Sequence, residues 1–306
     1  MVEPNSIPLS SGERSLNPIL ILAPARSFTS VVAAMLGQHP QLYAFPELNL
    51  FRAERVSDLF AFEDSDPVPH QISGLLRALA QLHDGDQTAE AVDAAGGWLK
   101  ERSTWRCPEV MDYMLELVAP RTGIDKSPTT LLEDGALQRA LVSYPDARFI
   151  HLVRHPVTTA RSMHEHWAEN LRGHTPTPAD CLMSWYLLHR RASLVLEDLR
   201  KKAPEKGFRV RAEDVLNDPG ATLARLAEWL GVSALDAALA EMLHPERSPY
   251  VGFGPSTAPW GADGAFLADP FLRAADLPSA VEFPDSWDVP PQLIRAGTEL
   301  AERLGY

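Results

Sequence analysis

The chain has little cysteine, no excess of positive charge and no long apolar run, and each shortage removes a class of protein. Two cysteines in 306 residues, Cys107 and Cys181, are too few for a disulfide framework. They read as buried thiols of a reducing cytoplasm. A net charge of −13, from 28 basic and 41 acidic residues, argues against a nucleic-acid groove and against an anionic membrane surface. Any anion site must then be a local exception to the field of the whole molecule. No apolar run reaches the roughly 18 residues of a membrane span. Residues 1–17 are polar, carry Pro4 and Pro8, and lack the basic start and apolar stretch of a signal peptide. They read as a flexible tail ahead of one domain over 18–306. Internal repeats and low-complexity tracts are missing, and so is the phosphate-loop pattern GxxxxGK[ST].

What is present is a strand–helix alternation. Apolar residues make up 45% of the chain and charged ones 23%, as in a globular protein. Ile19 to Leu22 form a continuous apolar run, which predicts a strand buried on both faces. A helix over Thr29 to Leu36 follows, with Gly37 placed as its C-cap. Gly123 to Asp125 predicts a second strand, Phe149 to Val153 a third and Phe208 to Arg211 a fourth. Helices are expected over 131–143, from a first turn at Pro156 through Ser162 to about Asn170, over Ala179 to Leu199, and from Pro219 onward. Ile72, Leu75, Leu76, Leu79 and Leu82 recur at helical spacing, marking residues 54–120 as a helical insertion. The stretch 245–291 is rich in Pro, Gly and aromatics. It reads as an ordered loop over a surface, because Tyr250, Phe253, Trp260 and Phe266 need something to pack on. The pattern predicts an α/β single domain with a central parallel sheet flanked by helices.

Two segments carry the chemistry, with their arginines 128 positions apart (154 − 26). In the first, a strand runs into Arg26, Ser27, Phe28, Thr29 and Ser30. In the second, a strand runs into Arg154, and Ser162 follows eight residues on (162 − 154). Each order puts a cation, hydroxyls and free backbone N–H groups at the C-terminal edge of a parallel sheet, where open α/β folds bind anions. Arginine adds a forked, permanently charged donor. Taken alone, Thr29 or Ser30 is equally an N-cap, and Arg154 equally a surface ion-pair partner. Together the segments suggest one ligand with two separated phosphate-like groups.

In these two segments the chain resembles the sulfotransferases that use 3′-phosphoadenosine 5′-phosphosulfate (PAPS). LAPARSFTS is similar to that family's loop for the 5′-phosphosulfate, and LVRHPVTTARS to its segment for the 3′-phosphate. FRVRAEDVLNDPGATLARLAEWLG, residues 208–231, resembles a third family segment, and Trp185 with His189 a fourth. The resemblance implies a P-loop NTPase-like sheet with the helical insertion lying over the acceptor site. It implies nucleotide contacts from Arg26, Ser27, Phe28, Thr29, Ser30, Arg154 and Ser162. Asp125-Lys126-Ser127-Pro128 and Phe45-Pro46-Glu47-Leu48 are similar to motifs of the bacterial and tyrosyl-protein types, implying Glu47 as base beside Lys126 and Arg26. Departures are Phe28 in place of the loop glycine, Ala25 for a proline, and Ala212 for a tyrosine that often touches the nucleotide. The family's RKGxxG loop is missing; Gly252 to Gly264 stands as its substitute but carries no Lys or Arg.

The reaction so implied moves a sulfuryl group from PAPS to a hydroxyl and releases 3′-phosphoadenosine 5′-phosphate (PAP). Positioning and charge stabilisation dominate such transfers. Sulfate carries less charge than phosphate, so no metal is required. An alkyl hydroxyl hardly ionises near neutral pH and needs a base, which is Glu47 in this reading. His151, His155, His164 and His166 do not make a zinc site, since an i, i+2 pair on a helix points to different sides. The partner expected is a small hydrophobic hydroxylated molecule, an acyl, lipid or natural-product acceptor of bacterial secondary metabolism, free or held on a carrier protein. The alternatives are an ATP–Mg²⁺ kinase of related fold, or a non-catalytic nucleotide-binding relative. The kinase lacks its GK[ST] loop and a clear strand-end aspartate for Mg²⁺.

Overall fold

A computed structural model describes residues 17–65, 70–170 and 175–306. The tail expected over 1–17 lies, apart from Asn17, outside the described residues. The elements run β1 (Ile19–Leu22), α1 (Thr29–Gly37), β2 (Leu42–Ala44), α2 (Val56–Ser65), α3 (Ser73–Asp84), α4 (Ala89–Glu101), α5 (Cys107–Val118) and β3 (Thr122–Asp125). They continue with α6 (Thr129–Leu132), α7 (Ala136–Ser143), β4 (Arg148–Val153), α8 (Pro156–Asn170), α9 (Pro178–Lys202) and β5 (Gly207–Arg211). Last come α10 (Ala212–Asn217), α11 (Pro219–Leu230), α12 (Asp236–Glu241), α13 (Gly264–Ala268) and α14 (Pro291–Leu304).

The five strands form one parallel sheet in the order β2-β3-β1-β4-β5. β1 is buried throughout and serves two cores. Leu20 and Leu22 face the insertion helices, while Ile19 and Ile21 face α1, α10 and α11. Its continuous apolar run follows from that two-sided burial. Truncating Leu20 to Ala would cost about 2–5 kcal/mol. A third cluster joins Met163 of α8, Trp185 of α9 and Leu300 of α14. No helix of the described residues is long and apolar enough to cross a membrane.

This order fixes where the site lies. After β1 the chain goes to β2 on one side; after β3 it crosses to β4 on the other side of β1. Ligands of open α/β sheets sit outside the strand ends at such a reversal. β3, β1 and β4 are neighbours, with Leu20 level with Asp125 and Leu22 level with His151. Lys126, Arg26 and Arg154 therefore emerge side by side from one edge.

Three details differ from the sequence-based expectation. Three-residue β2 is a fifth strand, where four were expected. The single helix over 131–143 is two, α6 and α7, parted by Gly135 at φ 76°. Gly37 is not a C-cap but the last residue of α1, capped by Gln38 in right-handed backbone. Glycine is there for space, since a Cβ on Gly37 would stand 2.7 Å from that of Ala44.

Candidate active site

The loop from β1 to α1 is built on two non-glycine residues in left-handed backbone, Arg26 at φ 63° and Phe28 at φ 60°. Each such residue costs about 1–2 kcal/mol. What the loop gains is visible around Arg154. Its Nη1 donates to the Arg26 carbonyl at 2.5 Å, and its guanidinium lies over the Phe28 ring, 4.0 Å from the centroid. A cation over a ring contributes about 0.5–2 kcal/mol. Phe28, standing where the resembled loop usually has a glycine, thus turns its strained conformation into a platform for the second arginine. The N-cap of α1 is Phe28 itself, with no side-chain cap, so neither Thr29 nor Ser30 is the N-cap.

Arg26 reaches the second segment directly: its Nε donates to Ser162 Oγ at 3.1 Å. Its Nη1 pairs with the Asp263 carboxylate. Burial pushes the Arg154 guanidinium down to about 10, opposed by Glu213, which still leaves it charged at neutral pH. Glu213 is held in turn by the His155 N–H at 2.8 Å and the Tyr306 hydroxyl at 2.7 Å. Trp185 Nε1 donates to the Arg154 carbonyl at 3.0 Å, closing the support from below.

Beside this cradle stands a second group. Lys126 Nζ donates to Glu47 Oε1 at 2.9 Å, Ser30 Oγ at 3.0 Å and the Gly261 carbonyl at 3.3 Å, which uses all three of its N–H bonds. The Lys126 side chain is 3% exposed and that of Glu47 26%, so the carboxylate is the member open to a substrate. Glu47 N–H donates to the same Gly261 carbonyl at 2.7 Å. Behind the lysine, burial pushes the Asp125 carboxyl up to about 6, against a 2.7 Å hydrogen bond from Ser127 Oγ and a longer one from Leu48 N–H. Asp125 thereby ties the Glu47 segment to β3.

Arg26, Phe28, Thr29, Ser30, Arg154 and Ser162 line one cavity of about 320 Å³. Six of the expected site residues are thus together, and Lys126 and Glu47 join them through Ser30. Ser27 is the exception. Its side chain is fully buried off the cavity and its hydroxyl has no partner among the described residues. The cavity has further lining residues outside the expected contacts, among them Asp263, Phe266, Phe271 and Arg273. For Arg273 a signal existed, since it is the single Lys or Arg between 248 and 290. Gly252 to Gly264 does not itself bring a cation; its Gly261 and Asp263 sit on Lys126 and Arg26. The histidines are dispersed. His151 shares a 2.9 Å hydrogen bond with His189, His155 packs on Tyr306, and His164 Nδ1 donates to the Pro176 carbonyl.

The model of the sulfotransferase family matches residues 18–236, well over half of the sequence, and the chain belongs to that family. Among solved structures, the sulfotransferase domain from the curacin biosynthetic pathway is 23% identical with a TM-score of 0.71, covering 96% of this chain and 99% of that one. The sulfotransferase domain of the olefin synthase of Synechococcus PCC 7002 is 26% identical with a TM-score of 0.67, covering 96% and 97%. No curated protein matches the sequence.

Proposed function

We propose that this sulfotransferase moves a sulfuryl group from PAPS to a hydroxyl of a small, largely apolar acceptor of bacterial secondary metabolism and releases PAP. The observation that carries the reading is the contact of Arg154 with the backbone of Arg26, which puts both cations on one cavity with Ser162 between the two loops. The residues fit such a donor. The cradle holds two arginines and the N-terminus of α1, and Arg154 Nε is a buried donor with no acceptor among the described residues. Arg26, Thr29 and Ser30 would hold the 5′ end, and Arg154 and Ser162 the 3′-phosphate. Phe266 and Phe271 offer apolar surface for the base.

The donor supplies the sulfuryl group: a bond forms from the acceptor oxygen to sulfur as the bond from sulfur to the phosphate oxygen breaks. Glu47 takes the hydroxyl proton, contributing about 10²–10⁴ in rate. On protonation Glu47 ceases to be an anionic partner of Lys126. The ammonium, still held by Ser30, then faces the charge that builds on the leaving oxygen. Arg26 stabilises the same charge from the other side. The apolar helices α2–α5 and the aromatic tail support an acceptor with a hydrophobic body. Likeness to the olefin synthase domain supports a biosynthetic one, free or carrier-bound. The two unpaired, buried thiols Cys107 and Cys181 support a cytoplasmic setting.

Thermal shift without Mg²⁺ tests the donor, and a panel of hydroxylated acyl substrates, free and carrier-bound, tests the acceptor. PAP at 100 times its Kd should stabilise the fold by about 2.7 kcal/mol. Stabilisation by ATP–Mg²⁺ and not by PAP would give the kinase reading instead. PAP binding with no acceptor turned over would leave a nucleotide-binding relative without catalysis.

A further inference from the structure

Helix α3, part of the insertion, carries a buried arginine that belongs to neither anion loop. Arg77 is 2% exposed. Its Nε donates to Gln87 Oε1 at 2.7 Å and its Nη1 to the Trp260 carbonyl at 3.1 Å. Nη2 donates to the carbonyls of Gly252 at 3.0 Å and Tyr250 at 3.4 Å. All four acceptors are neutral, and three are backbone carbonyls of one loop. Burying a cation against neutral acceptors carries a desolvation cost that hydrogen bonds without an opposite charge offset only in part. Gln87 completes the grip, its Nε2 donating to the Pro249 carbonyl at 2.6 Å.

The gripped loop ends at Gly261, whose carbonyl accepts from both Glu47 N–H and Lys126 Nζ. The approach is close. A Cβ on Gly74, three residues before Arg77 in α3, would stand 2.1 Å from the Glu47 carbonyl oxygen; one on Gly261 would stand 2.8 Å from Gly74 Cα. One on Gly254 would meet the Ala258 carbonyl oxygen at 2.2 Å and Arg77 Cδ at 2.9 Å. Helix α3, the loop and the Glu47 segment thus touch backbone to backbone, and Arg77 is the side chain that joins α3 to the loop.

We propose that Arg77 is a positioning residue for the Glu47–Lys126 pair: by gathering the carbonyls of Tyr250, Gly252 and Trp260 it holds the Gly261 carbonyl where that pair needs it. The catalytic meaning of the pair rests on the proposed function; the mechanical link does not. A guanidinium is required because three divergent carbonyls and an amide oxygen must be met by one planar fork, which an ammonium cannot match.

The test uses the full chain with Arg77→Met and Arg77→Lys. Amide hydrogen exchange at Glu47 should quicken by about 10–100-fold in Arg77→Met while the amides of β1 and β4 keep their protection. PAP should bind both variants within about threefold of the parent, because Arg26 and Arg154 are untouched. Turnover should fall by about 10–100-fold in kcat with a smaller change in the acceptor KM, as expected when reacting groups move by about an ångström. Arg77→Lys should restore part of both losses, and it serves as the reference if the methionine variant does not fold. Parent-like Glu47 exchange in Arg77→Lys and Arg77→Met would overturn the proposal. So would loss of PAP binding and of β1 protection in parallel with the Glu47 amide, which would make Arg77 a general fold support. If the parent itself fails to bind PAP, the sulfotransferase reading falls, and the exchange measurement still decides Arg77.

Discussion

The two halves of the site are held by different means. Arg26, Arg154 and Lys126 leave adjacent strands, so parallel pairing of β3, β1 and β4 sets their spacing before any side chain acts. The stretch 249–274 has no strand. Its Gly261 and Asp263 reach the same cations through backbone carbonyl and carboxylate contacts, and Arg77 and Gln87 hold it from behind. Where the sheet supplies position, one side chain changes the chemistry and little else. Where a loop supplies it, loss of a distant hydrogen bond is expected to change the chemistry too.

Substitutions sharpen that contrast, the largest effect first. Glu47→Gln keeps shape and removes the proposed base, so kcat should fall by about 10²–10⁴ with PAP affinity unchanged in calorimetry. Turnover at the parent rate would remove Glu47 from the mechanism. Asp263→Asn works on the loop half and in the opposite direction. The carboxylate now pairs with Arg26 on the cavity wall, so neutralising it should tighten PAP by about fivefold, in line with a partly exposed ion pair. Weaker binding would show instead that Asp263 orients Arg26 for the ligand.

A smaller effect lies behind the sheet half, in acid. Burial pushes His189 down to about 3 and His151 well below its usual range, the latter helped by its neighbour His189. A histidine whose folded pKa is depressed binds fewer protons folded than unfolded, so stability drops as pH falls from about 6.5 toward 3. Asp125, raised to about 6, acts oppositely between about 4 and 6, where the folded state holds the extra proton. Urea midpoints for the parent and His189→Asn separate the two. The parent should lose up to about 1.4 kcal/mol per pH unit more than the variant below pH 6. Equal slopes would mean that His189 is protonated in the fold.

How far the sequence disclosed all this follows the same division. The apolar run of β1 ending in Arg26, and β4 ending in Arg154, are patterns that parallel sheets force on a chain, and both were legible. Lys126 and Glu47 were legible through short motifs next to such strands. Three-residue β2 was not, because Leu42 to Ala44 merges with the Phe45 segment and shows no period. Gly37, read as a cap, is needed for space inside α1, whereas Gly135, passed over within one expected helix, is the left-handed break between two. Arg77 was hidden because a basic residue among helical leucines reads as part of a solvated face. Asp263 gave no sign in an acidic chain, since its meaning comes from a partner 237 positions away.

The central claim, that Arg26 and Arg154 grip the two ends of one nucleotide, is tested most directly by calorimetry with PAP and with adenosine 5′-phosphate, which lacks the 3′-phosphate. The parent should prefer PAP by about 100-fold, the worth of a charge-assisted contact of about 2–3 kcal/mol. Arg154→Met should erase that preference, and Arg26→Met should weaken both ligands while leaving it intact. If Arg154→Met keeps the full preference for PAP, the two arginines do not share one ligand and the assignment is wrong.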